Sequence, residues 1–168
     1  LDTGEILDTE VSVNHQRSYG ADVLSRIQAS NEGRKKELQE SIQKDLWGLF
    51  ERLIEKSGVS GEKVSEICMA GNTAMVHLLL GYSCEELGRL PFRPVTLEPP
   101  VMKAADVFGS AWKTGRAERG VSPETRTRLL PGIAAFVGGD ITAGLLSCDF
   151  DREEEACLLL DLGTNGEI

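Results

Sequence analysis

Leu160-Asp161-Leu162-Gly163-Thr164-Asn165-Gly166-Glu167-Ile168 is the stretch that decides how the rest of the chain is read. With Leu158 and Leu159 before it, an apolar run ends in an acidic residue and then in a turn rich in glycine, hydroxyl and amide groups. The pattern predicts a buried strand that runs into a tight turn. A carboxylate at the end of such a strand is placed to hold a metal-bound water. A Gly-Thr-Asn-Gly turn aims backbone N–H groups at an anion, because glycine accepts positive φ and close approach. The chemistry suggested is phosphate binding with a divalent cation. Asn-Gly is also the strongest short hairpin signal, so an ordinary turn after a buried strand is the competing reading. A turn of this kind at the very end of the sequence is expected to belong to a longer protein, as is a chain whose first residue is Leu1.

The 168 residues are 40% hydrophobic and 27% charged, the composition of a folded domain with room for one core or two small lobes. A net charge of −9 disfavours nucleic acid as the main partner, since no basic stripe is present to neutralise phosphates. Cys68, Cys84, Cys148 and Cys157 contain no Cys-x-x-Cys pair, which is poor spacing for zinc or an iron–sulfur cluster. Cys68 and Cys157 lie in apolar runs and are expected to be reduced core residues. No apolar run is long enough for a membrane span, and no signal peptide is evident, so no membrane partner and a cytoplasmic location are expected.

Residues 6–13 alternate Leu7, Thr9, Val11 and Val13 against Asp8, Glu10 and Ser12, which predicts a strand. The polar run from Asn14 to Gly20 either presents Asn14, Gln16 and Arg17 to a ligand or is a solvated connection into a helix that starts near Asp22. A longer helix follows, its buried face marked by Leu38, Ile42, Leu46, Leu49 and Leu53, and it ends at Ser57-Gly58. Residues 64–70 read as a short strand that empties into Gly71-Asn72-Thr73 and then a helix, half of a βαβ unit. Ligands gather at the carboxyl ends of strands in such sheets, which makes Gly71, Asn72 and Thr73 candidates for phosphate contact; Asn72 is equally a good helix cap. Residues 90–100 are proline-rich, which predicts extended structure or a loop, and residues 101–128 show no clear period.

Residues 129–137 lead into Gly138-Gly139-Asp140 and a helix whose small residues suggest tight packing. Asp140 at that helix start is either a carboxylate held by the helix dipole or a catalytic base that positions water or a hydroxyl beside a phosphate.

Three strand-to-turn junctions thus recur, at Gly71-Asn72-Thr73, Gly138-Gly139-Asp140 and Asp161 to Glu167. Together with Asn14-His15-Gln16-Arg17-Ser18-Tyr19-Gly20-Ala21-Asp22 and Leu130-Pro131-Gly132-Ile133-Ala134-Ala135-Phe136-Val137, they resemble the actin-like ATPase superfamily. Within it the resemblance is to the carboxyl-terminal domain of the reductive activators of corrinoid-dependent proteins. The resemblance implies an α/β, ribonuclease-H-like first lobe, a mixed sheet with helices on its faces. Residues 1–157 would be part of that lobe and residues 158–168 the start of the second.

It also implies a parent that binds ATP and magnesium. The parent would use ATP hydrolysis to let a 2Fe–2S cluster, carried outside this chain, restore cobalt(I) in a corrinoid protein or corrinoid-dependent methyltransferase. Gly163, Thr164, Asn165 and Gly166 would contact phosphate, Asp161 would hold magnesium through water, and Asp140 would match the acidic residue near the γ-phosphate. A homodimer is left open, and this segment alone is expected to be inactive. The rival readings are a small-molecule kinase of the same superfamily and a non-catalytic lobe that docks a protein partner.

Overall fold

The computed structural model describes residues 3–114, 121–152, 155–162 and 166–167. Its spine is a 23-residue helix, α2 (Lys35–Ser57), which begins after a wide π-type turn, Ser30–Arg34, and closes at Gly58. Gly33 sits in that turn at φ 99°, a conformation that bends the chain between α1 (Val23–Ala29) and α2. Asp22 caps α1 in a reciprocal capping box with Ser25, so the residue expected in the first turn is the cap and the helix starts one residue later at Val23.

Leu38, Ile42 and Trp47 place one face of α2 in three successive clusters of buried side chains. The first joins α1 and α3 (Thr73–Leu80) through Ile27 and Leu78. The second takes Val76 and Leu79 from α3 and Leu129 from the sheet. The third packs Trp47 against Phe108 of α4 (Ala104–Thr114), with ring centroids 5.3 Å apart. A fully buried side chain such as Leu38 or Leu78 contributes about 2 kcal/mol by leaving water.

The sheet is small and mixed. β1 (Glu66–Met69) runs parallel to β3 (Arg126–Leu129) in the register Glu66↔Arg126 to Met69↔Leu129. β2 (Met102–Lys103) pairs antiparallel on the other side of β3, which is therefore central. α5 (Gly139–Ser147) follows the turn after β3. A two-pair hairpin, β4 (Asp161–Leu162) with β5 (Gly166–Glu167), forms a separate sheet. The α/β class and mixed sheet agree with expectation. Among the described residues no helix is long and apolar enough to cross a membrane.

Several expectations are corrected. Residues 6–13 are extended but belong to no ladder, and Val11 is 88% exposed; the alternation specifies a face, and nothing in the described chain covers it. Glu10 ties this segment to α2 through Arg52 at 2.9 Å and through Lys56. The run before Asp161 is not a buried strand: Leu158 is 69% exposed, and the ladder holds only Asp161 and Leu162. Cys68 and Cys157 are exposed, whereas Cys84 is the buried thiol. Gln16 is not presented to a ligand, because its side chain is fully buried and donates from Nε2 to the Leu38 carbonyl at 2.8 Å. α5 is only half-buried along most of its length, not tightly packed. Residues 101–128, which showed no period, hold α4 and most of β3.

Candidate functional site

Two parallel neighbouring strands end side by side, and each empties into a glycine turn and a helix. After β1 the chain passes through Ala70, Gly71 and Asn72 into α3; after β3 it passes through residues 130–138 into α5. Leu130 N–H donates to the Met69 carbonyl at 2.9 Å, so the pairing holds to the last residue before the turns diverge. The carboxyl ends of two such strands are where an α/β sheet leaves a crevice.

The turns interlock because two glycines leave no side chain between them. A Cβ on Gly138 would lie 2.5 Å from the Asn72 Cα and 2.7 Å from the Thr73 nitrogen. A Cβ on Gly139 would lie 2.5 Å from the Leu130 carbonyl oxygen. All of these are backbone atoms, which cannot swing aside. The close approach sets the amino-terminal ends of α3 and α5 against each other, and it is joined by Thr73, whose hydroxyl donates to the Ala134 carbonyl at 3.1 Å.

Beside this corner is a cleft of about 500 Å³, lined by Gly71, Asn72 and Asp140 on its polar side and by Cys68, Met69 and Met75 among its other walls. Asn72 caps α3, its Oδ1 accepting from Met75 N–H at 2.9 Å, so only its amide Nδ2 is left to meet a ligand. Thr73 donates its hydroxyl to the Ala134 carbonyl, is buried beneath Gly138 and is not among the residues lining the cleft. Asp140 lies in the first turn of α5, half-buried, with Oδ1 accepting from Ile141 N–H at 3.0 Å. α5 has no side-chain cap from Gly138, so the electropositive end of its backbone faces this corner. Asn72 thus caps α3 from the wall of the cleft, and Asp140 lines the same cleft while its Oδ1 accepts from Ile141 N–H.

The corner brings together Gly71, Asn72, Thr73 and Asp140. Asp161 is exposed at the base of the hairpin, opposite Glu167 in register, and is not among the residues lining the cleft. Gly166 pairs with Leu162 in the same hairpin, while Gly163, Thr164 and Asn165 lie outside the described residues. The segment before the hairpin does reach α5, where Leu159 Cδ2 would stand 3.2 Å from a Cβ on Gly144. Sequence reasoning passed over Cys68 and Met75 as cleft walls, and it treated Gly138 and Gly139 as turn formers when their chief effect is contact.

A family model described as the RACo middle region matches residues 1–153. The chain belongs to that family. It is 28% identical over 170 residues to the corrinoid activation enzyme RamQ of Eubacterium limosum, an alignment that spans 100% of this chain and 27% of that protein. The solved structure of a reductive activator for corrinoid, iron-sulfur protein superposes with a TM-score of 0.85 and 29% identity over 98% of this chain and 25% of that one. The chain thus spans about a quarter of the relatives it matches. The expected kinship with reductive activators is shown, and the family description places it in their middle region.

Proposed function

We propose that this chain forms part of the first, ribonuclease-H-like lobe of an actin-like ATPase domain in an ATP-dependent reductive activator, which restores cobalt(I) in a corrinoid partner. Residues 1–157 make up that lobe segment and residues 158–168 open the second. The observation that carries the reading is the corner of Gly71-Asn72-Thr73 against Gly138-Gly139-Asp140 at the ends of two parallel strands. The names borne by the relatives supply the corrinoid half of the proposal.

The donor set suits a phosphate. Backbone amides at two helix starts and the Asn72 amide favour an anion, and a carboxylate beside them favours a magnesium-bound water. Asp140 would orient a water or take its proton next to the terminal phosphate, while Asp161 would hold magnesium through water from the second motif. Gly163, Thr164, Asn165 and Gly166 would complete the phosphate contacts. ATP would supply the difference in affinity between two conformations of the activator and its corrinoid partner, and a 2Fe–2S cluster elsewhere in the parent would supply the electron. The cysteines here do not suit a cluster: Cys84 is 1% exposed, and no group of three or more His, Cys, Asp or Glu among the described residues is placed to hold a metal.

Calorimetry of the full-length protein with magnesium and ATP tests the proposal. Binding that is abolished by Asp161→Ala and retained with lost turnover in Asp140→Asn is the expected result. Absence of binding by the unsubstituted protein would overturn it and favour a lobe that only docks a partner. Phosphoryl transfer to a small hydroxyl compound instead of water would favour the kinase reading.

A further inference from the structure

We propose that His77 is a positioning residue, whose buried ring fastens the proline-rich loop, and through it the turn that carries Asp140, to the first turn of α3. The inference rests on the nucleotide reading above for its functional consequence, though not for its geometry.

His77 is fully buried in α3, and both ring nitrogens are engaged. Nδ1 stands 2.8 Å from the Thr73 carbonyl oxygen, and Nε2 stands 2.9 Å from the Val95 nitrogen. A carbonyl only accepts and a backbone amide only donates, so the ring must carry its proton on Nδ1 and accept on Nε2. Only the neutral ring satisfies both. Two residues beyond Val95, the Leu97 carbonyl accepts from Gly132 N–H at 2.7 Å. Two residues beyond Gly132, the Ala134 carbonyl accepts from the Thr73 hydroxyl at 3.1 Å.

The bonds therefore close a ring that runs Thr73, His77, Val95, Leu97, Gly132, Ala134 and back to Thr73. Three segments separated in sequence are joined beside the corner: the His77 ring links α3 to the proline-rich loop, and that loop meets the turn before α5 through the Leu97–Gly132 bond and through the Phe92 and Phe136 rings, whose centroids are 5.2 Å apart. Val95 itself is 59% exposed, so it is its backbone bond to His77 and not burial of its side chain that holds it against α3. A polar side chain placed in so dry a position is costly unless it makes its bonds.

Burial pushes the His77 pKa below its ordinary value, and the Thr73 carbonyl acts weakly the other way. No charged side chain contributes to that shift, and Tyr82, which meets the imidazole edge-on at 5.6 Å, is the titratable residue packed against it. Because the folded state prefers the proton-free ring, its stabilisation is complete above about pH 6.5 and is lost as pH falls through the lowered value. Protonation would turn Nε2 from acceptor to donor and set it against the Val95 amide.

Hydrogen-exchange mass spectrometry on the full-length protein, beside ATP titration of the same samples, tests the assignment. His77→Leu keeps the bulk and removes both bonds; His77→Gln keeps one donor and one acceptor. In His77→Leu, segments 94–97 and 131–138 are expected to exchange about tenfold faster while α2 keeps its rate. His77→Gln should recover most of that protection. ATP affinity should fall several-fold with Leu and return with Gln. Unchanged exchange at 131–138 in His77→Leu would overturn the proposal, as would uniform acceleration across the chain or an ATP affinity indifferent to both substitutions. If the unsubstituted protein binds no ATP, the nucleotide reading fails, and the exchange pattern alone decides whether His77 holds the turn.

Discussion

Two glycine-rich turns in this chain share a composition and differ in what surrounds them. At the Gly138 corner, the missing Cβ is replaced by the backbone of Asn72 and Thr73, and three hydrogen-bonded segments meet around it. At the Asp161 hairpin, two residue pairs form the ladder among the described residues, and Leu158 and Leu160 before it face solvent. The corner is set by tertiary contact, and the described part of the hairpin is a local ladder. Glycine at the first is a packing requirement that can be measured as stability; at the second, the proposed role is binding. Stability and nucleotide affinity should therefore separate along this line.

The largest difference is expected beneath the two sites. Leu78 supports α3 and is fully buried, so Leu78→Ala should cost about 3 kcal/mol in urea denaturation. Leu160 is 51% exposed, and Leu160→Ala should change stability by less than about 0.5 kcal/mol. Comparable losses at the two positions would mean that the hairpin is packed as firmly as the corner.

Gly138→Ala comes next. Its φ of −90° suits any residue, so the penalty is steric alone, and the obstructing atoms are backbone. A loss of about 2 kcal/mol is expected by the same denaturation measurement. If alanine is tolerated freely, the two helix starts can separate at no cost and the corner is no fixed platform.

Asn72 sharpens the contrast further, because one residue serves both fold and cleft. Asn72→Ala removes the bond to Met75 N–H and should cost about 1 kcal/mol. Asn72→Asp keeps an oxygen there and should hold the stability, yet it sets a negative charge where the phosphate is proposed to lie. Calorimetry should then show ATP affinity falling in the aspartate variant despite an intact fold. Equal affinity in Asn72→Asp would confine Asn72 to capping.

This separation also explains what could be read from sequence. The long α2 was legible because Leu38, Ile42, Leu46 and Leu49 recur at helical spacing and Gly58 ends the pattern. The α3 start was legible from Asn72, whose capping chemistry is local. α4 escaped although Ala104, Val107, Phe108 and Ala111 are spaced correctly; two of them are small, and Gly109, at φ 53°, interrupts the run. β3 escaped because its buried face includes Thr127, a polar residue that only its neighbours make dry. Residues 6–13 erred the other way, since alternation announces a strand without naming what pairs with it. Half of the site was visible as motif residues, but the contact of Gly138 with Asn72 joins positions 66 apart and leaves no local trace.

The smallest effect on stability belongs to Gly71, and it is the most informative. A Cβ there would meet Met75 Cβ and Val76 Cγ2 at 3.9 Å, an ordinary contact, and its φ is not one that only glycine adopts. The fold therefore makes no demand for glycine at this position, unlike at Gly138. Gly71→Ala should leave stability within about 0.5 kcal/mol, with a slight gain from the stiffer unfolded chain. The added methyl would nevertheless stand on the wall of the cleft, where a phosphate held by the backbone amides of this turn has to approach closely. ATP affinity of the full-length protein should drop by about tenfold or more, since displaced amide contacts to a charged oxygen are each worth that much. A Gly71→Ala protein that folds and binds as before would move the phosphate off β1, leaving the start of α5 and the Asp161 turn as its only supports.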